Sequence, residues 1–138
     1  MTRYLLETHV LLWFLENDKR LPENIREDIE YFQHEYYVSF LSLIEIDNLN
    51  KLRKIELKYS FKELIERLQS SFIGILFGSV ENLDVLFDLD MKNINGKSHA
   101  DYIDRMVIAT AIANRHTCIS ADTKFHHYRA NGLKLIEI

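Results

Sequence analysis

The stretch Tyr4-Leu5-Leu6-Glu7-Thr8-His9-Val10-Leu11-Leu12-Trp13 passes from strand to helix around an acid. Tyr4-Leu5-Leu6 is a short apolar run and reads as a buried strand. Val10, Leu11, Trp13 and Phe14 then fall on one helical face. The same alternation continues along the chain. Tyr36 to Ser39 is aromatic and β-branched and reads as a second strand, followed by helical spacing from Leu41 to about Leu52. Ile73 to Phe77 reads as a third strand and Glu81 to Leu89 as a helix. Tyr102 to Ala113 is apolar on nearly every side, which predicts a helix buried all round. Thr117 to Ser120 is a fourth strand, and Leu133 to Ile136, after Gly132, a fifth. Two further helices carry start signals. Pro22 suits the first position of a helix bearing Ile25 and Ile29. Ser60, with Glu63 three residues on, has the spacing of a capping box ahead of Leu64 and Leu68. Asp90 to His99, with Asn93, Asn95, Gly96 and Ser98, reads as a loop.

Strands alternating with helices predict an α/β fold whose central parallel sheet of four to five strands is covered on both faces. Such sheets place functional groups just beyond the carboxyl ends of their strands. The 138 residues suit one domain spanning 1–138. There is one proline, four glycines, no internal repeat and no low-complexity tract. The single cysteine, Cys118, excludes an internal disulfide, fits a reducing compartment and reads as an inert core thiol. No apolar run approaches the ~20 residues of a transmembrane helix, and Glu7 interrupts any signal-peptide core. A cytoplasmic protein without a membrane partner is the expectation.

Acids outnumber bases, 21 to 17, which weighs mildly against a nucleic-acid-coating protein. The positions of four acids change that reading. Glu7 follows the first strand and Asp122 the fourth. Glu45 and Asp104 lie in apolar segments, Leu43-Ile44-Glu45-Ile46 and Ile103-Asp104-Arg105-Met106-Val107. A carboxylate in such company is costly to bury unless it is paired or meets a metal. Convergent carboxylates need a cation, and hard oxygen donors suit Mg²⁺ or Mn²⁺. Such ions activate water and neutralise charge growing on a phosphate. With four acids so assigned, the rest of the chain is charge-balanced. Each acid also has a local reading. Glu7 and Asp122 can cap the helices they precede, Glu45 can face solvent beside Asp47, and Asp101 caps the helix of Asp104 in preference to touching metal.

The chain resembles the PIN-domain ribonucleases, specifically toxins of the VapC type. The resemblance is carried by Leu5 to Trp13, by Val38-Ser39 through Ser42-Leu43-Ile44-Glu45-Ile46, by His99 to Ala109 and by Ser120-Ala121-Asp122-Thr123-Lys124-Phe125. These segments run in family order along nearly the whole chain. The resemblance implies a three-layer α/β/α PIN-like fold and a Mg²⁺- or Mn²⁺-dependent endoribonuclease. It places Glu7, Glu45, Asp104 and Asp122 at the catalytic and metal-holding positions, with Thr8 and Ser120 in support by hydrogen bonding. It also implies an RNA substrate, a cognate antitoxin protein that blocks the site, and commonly a homodimer. The family's first acid is aspartate where this chain has Glu7, which moves the carboxylate by roughly an ångström and is expected to retune or weaken metal binding. Ile44, Tyr102 and Ile103 replace a tryptophan, a proline and a phenylalanine, and Arg53 replaces a glycine near the end of the third helix.

Other residues have readings of their own. Lys51, Arg53, Lys54 and Lys58 form a basic run that is either a contact for RNA or, the reading preferred, a solvated helix face. Lys97, His99, Arg105, Lys124, His126, His127 and Arg129 flank the acids and are candidate RNA contacts. His9 is a possible proton donor, although packing at the helix start is favoured. Trp13, Phe14, Tyr31 and Phe32 read as core or interface; with the helices around 10–16 and 22–32 they offer a groove for an antitoxin, as the resemblance implies. The alternatives to the toxin are a degenerate PIN domain that binds RNA or protein without cleavage, and a nuclease of RNA processing or DNA repair.

Overall fold

The computed structural model describes residues 1–138. Five strands, β1 (Arg3–Leu6), β2 (Glu35–Ser39), β3 (Ile73–Leu76), β6 (Thr117–Ser120) and β7 (Lys134–Glu137), form one sheet in the order β3-β2-β1-β6-β7. Every pairing in it is parallel. Alternation along the pleat splits adjacent residues between two layers. Leu5 sits opposite Tyr37 and Cys118 and packs with Val107, Ile108, Phe125 and Tyr128. Leu6 sits opposite Val38 and Ile119 and packs with Val10, Leu11, Ile46 and Leu68. The helices α1 (Thr8–Leu15), α2 (Glu23–Glu30), α3 (Phe40–Lys51) and α4 (Phe61–Ser70) supply the second cluster. The first cluster is supplied by α6 (Tyr102–Asn114) and the 3₁₀ helix Phe125–Asn131, with α5 (Val80–Asp88) packed on α6. The result is the expected α/β/α sandwich. No helix is long and apolar enough to cross a membrane.

The predicted cap at Ser60 forms, with Ser60 Oγ accepting from Glu63 N–H at 3.3 Å. Ser39, which ends β2, also caps α3, its Oγ accepting from Leu41 N–H at 3.2 Å. Pro22 stands immediately before α2 rather than inside it. Two expectations need correction. Asp90 to His99 is not a plain loop: β4 (Asn93–Ile94) and β5 (Lys97–Ser98) pair antiparallel around Asn95 and Gly96, both at positive φ. That is the Asn-Gly signature of a two-residue hairpin turn. Helix α6 is not buried all round. Val107 to Ala111 are buried, but Tyr102 is 66% exposed and Asp104 to Met106 are half-buried. Its first turn leaves the core to reach the carboxyl edge of the sheet. Cys118 is a free, fully buried thiol, as expected.

Candidate active site at the carboxyl edge of the sheet

Strand order runs outward from β1 to β2 and β3 on one side, and to β6 and β7 on the other. The crevice between β1 and β6 is therefore the point at which connections diverge, the place where open α/β sheets put their sites. Glu7 follows β1 there, held by its N–H to Ile119 O at 3.0 Å. Ser120 ends β6, and its Oγ accepts from Asp122 N–H at 2.9 Å and lies 3.5 Å from Glu7 Oε1. Glu45 comes from α3 and Asp104 from the first turn of α6. Four separate elements thus converge on one edge.

The fields of these groups overlap. Burial, then the neighbouring charges of Asp101, Asp122, Glu7 and Glu45, push the Asp104 carboxyl up to about 8. Burial also raises Glu45, opposed by a hydrogen bond from the Thr8 hydroxyl and helped by the charges of Asp101 and Glu7. The Glu7 carboxylate is only 5% exposed, and its Oε2 accepts from His9 N–H at 2.7 Å, so Glu7 caps α1 while facing the other acids. Asp101 Oδ1 accepts from the N–H groups of Ile103 and Asp104 at 3.0 and 3.1 Å, which is the expected cap of α6. Asp122 Oδ1 accepts from Lys124 N–H at 2.9 Å and pairs with Lys124 Nζ at 3.1 Å.

Of the flanking residues, Lys97 and Lys124 line a cavity of about 690 Å³ together with His99 and Thr123, next to the acids. Arg105 donates to Leu89 O instead of entering that cavity. Arg129 and His126 turn to Glu137 at 3.3 and 3.6 Å, away from the acids. Lys51, Arg53, Lys54 and Lys58 are exposed, with Lys51 paired to Asp47 at 2.8 Å; the run is solvated as expected, but only Lys51 lies on α3 and the other three follow it in turns rather than on a helix face. His9 is not packed away. Its ring is 54% exposed, 3.2 Å from Glu7 Oε2, and that hydrogen bond raises it above the usual imidazole range. Trp13 and Phe14 pack on the core, whereas Tyr31 and Phe32 are exposed.

Sequence reading missed one pair. His99 Nε2 lies 3.1 Å from Asp104 Oδ2, and His99 Nδ1 lies 2.7 Å from Tyr128 Oη. Burial holds His99 below the usual imidazole range. From sequence His99 opens the segment His99 to Ala109 and stands among the bases flanking the acids, with no partner assigned, and Tyr128 has no reading.

No three Asp, Glu, His or Cys side chains close on a common point at ligating distance. The donors are nevertheless all hard oxygens, and Mg²⁺ is commonly held by one or two carboxylates with waters completing its shell. The cluster fits an ion of that kind and not a fully protein-enclosed one.

An all-parallel α/β/α sandwich with acids gathered at its strand-order reversal belongs to the class that works at the carboxyl edge of the sheet. A family model for the PIN domain matches residues 4–131, and the chain belongs to the PIN-domain family. Among solved structures it is similar to the VapBC2 complex of Rickettsia felis bound to a DNA fragment from its promoter. The TM-score there is 0.67 with 17% identity, over 99% of this chain and 98% of that one. It is also similar to a toxin–antitoxin complex from Klebsiella pneumoniae, with a TM-score of 0.62, 17% identity, and 98% and 99% of the two chains covered. At these identities the likeness concerns the fold. A search of curated proteins by sequence finds no significant match.

Proposed function

We propose that this protein is a Mg²⁺- or Mn²⁺-dependent endoribonuclease acting as the VapC-type toxin of a toxin–antitoxin pair. The observation that carries the reading is the convergence of Glu7, Glu45, Asp104 and Asp122, from four elements, at the reversal point of a PIN-domain sheet. A bound cation would supply water activation and charge neutralisation at the scissile phosphate. Glu7, Glu45, Asp104 and Asp122 would hold the ion together, and its charge would relieve the burial and mutual repulsion that raise the Glu45 and Asp104 carboxyls. Thr8 fixes Glu45 and Ser120 links Glu7 to Asp122, while Asp101 orders the α6 terminus. Lys97 and Lys124 favour a phosphate backbone along the adjoining cavity.

For partners, the two solved relatives are toxin–antitoxin assemblies, which supports a protein antitoxin. Exposed Tyr31 and Phe32, with Phe32 edge-on to Phe72 at 5.0 Å, offer it an apolar landing at the end of α2. A homodimer is supported by a separate apolar face, where Phe40 stacks on Phe77 beside exposed Ile44, Phe61 and Val80.

The test is cleavage of labelled RNA by the purified protein with Mg²⁺, with Mn²⁺ and with chelator, beside Asp104→Asn. Metal-dependent cleavage lost in Asp104→Asn is expected. Equal behaviour of the two proteins sinks the enzyme reading. The second reading, a PIN domain that binds RNA without cutting, draws on the Lys124–Asp122 ion pair and on Glu7 capping its own helix, since both satisfy acids with protein donors. Retained RNA in a gel shift with no cleavage under any metal would establish it.

A further inference from the structure

Asp104 is braced from behind. Its Oδ2 is 3.1 Å from His99 Nε2, and the far side of that ring is 2.7 Å from Tyr128 Oη. The His99 side chain is 2% exposed and Tyr128 is fully buried, so water replaces neither contact. The three residues come from the segment before α6, from its first turn, and from the 3₁₀ helix after β6. His99 N–H donates to Lys92 O at 2.8 Å, which fixes its backbone as well.

The Tyr128 hydroxyl has a proton to give, and His99 Nδ1 is its hydrogen-bond partner at 2.7 Å. The tautomer assigned to the pair is the one in which Tyr128 Oη donates to Nδ1. A neutral imidazole that accepts at Nδ1 carries its proton on Nε2, facing Asp104. Asp104 Oδ2 is thereby occupied, while Oδ1 has no protein donor and remains available to the acid cluster.

We propose that Tyr128 and His99 are positioning residues that hold the Asp104 carboxylate, through a fixed tautomer of His99, in the orientation that binds a divalent cation. The inference rests on the reading of the cluster as a cation site. Partners of this kind commonly change metal affinity by 10–100-fold when removed.

Two measurements on the full chain test it. Long-range ¹⁵N–¹H correlation spectra of the metal-free protein at about pH 9, where Asp104 is a carboxylate, should show His99 protonated at Nε2 and bare at Nδ1. Mn²⁺ titration calorimetry should show Tyr128→Phe weakened by about tenfold, with a melting temperature close to that of the wild type. If Tyr128→Phe fails to fold, a pair at position 99 takes its place. His99→Gln keeps a donor near the Nε2 position and should bind Mn²⁺ more tightly than His99→Asn, which does not. A His99 proton on Nδ1 overturns the proposal, as does Mn²⁺ affinity unchanged in both Tyr128→Phe and His99→Asn. Absence of Mn²⁺ binding by the wild type itself overturns the cation site, and the brace with it; wild-type binding with unaltered variants overturns the brace alone.

Discussion

The Glu7 carboxylate is turned onto its own helix, with Oε2 accepting from His9 N–H at 2.7 Å and standing 3.2 Å from His9 Nδ1. One side chain therefore serves as helix cap and as member of the acid cluster, and its extra methylene lets it reach back to the cap. Aspartate is itself a favoured cap, and its shorter arm holds the carboxylate nearer the strand end. Glu7→Asp should preserve the melting temperature and tighten Mn²⁺ binding several-fold. Glu7→Gln keeps a cap acceptor but removes the charge, so it should fold while losing Mn²⁺ affinity. Parallel thermal melts and calorimetric titrations check both.

Asp104 makes metal-free stability depend on pH. Its carboxyl ionises at 3.8 in the open chain and at about 8 in the fold. Between these values the folded state binds more protons than the unfolded one, so stability falls as pH rises through the window. Asp104→Asn removes that dependence. Its melting temperature in chelator should exceed that of the wild type by roughly 5 °C at pH 8, with the gap closing toward about pH 4. Scanning calorimetry across the range reads the difference.

Arg53 sits at φ 57° immediately beyond α3, where Lys54 N–H reaches back to Leu49 O at 2.9 Å. That position suits glycine, because a Cβ crowds the left-handed backbone. Arg53→Gly should stabilise the protein by about 1 kcal/mol, read as a raised urea midpoint with unchanged slope.

Gly74 lies opposite Tyr37 in the β2–β3 ladder, and a Cβ there would come within 2.8 Å of the Tyr37 ring. Tyr37 in turn stacks on buried His116 at 5.1 Å, so the ring has little room to yield. Gly74→Ala should cost about 1–3 kcal/mol, with a lowered urea midpoint as the readout.

Much of the architecture was legible because it is local. Leu5-Leu6, Val38 and Cys118-Ile119 form short apolar runs that can be satisfied only by burial on both sides of a sheet, and Ser60 with Glu63 spells a helix start in four residues. The β4–β5 hairpin reads as a loop in the sequence, because its two-residue strands are too short for periodicity to register around the Asn95-Gly96 turn. The half-exposed first turn of α6 was not legible, because its exposure is set by where the sheet ends.

By itself the sequence determined the strand–helix alternation, the parallel sheet and four candidate acids, two that follow strands and two set in apolar helical segments, for these rest on short-range pattern and on the cost of burying charge. Only the tertiary structure decided how each acid is used. Glu7 caps α1, Asp122 pairs with Lys124, and Asp104 leans on His99 and Tyr128. The orientation of a carboxylate depends on donors brought within about 3 Å by strands and helices distant in sequence, and no spacing along the chain encodes that distance.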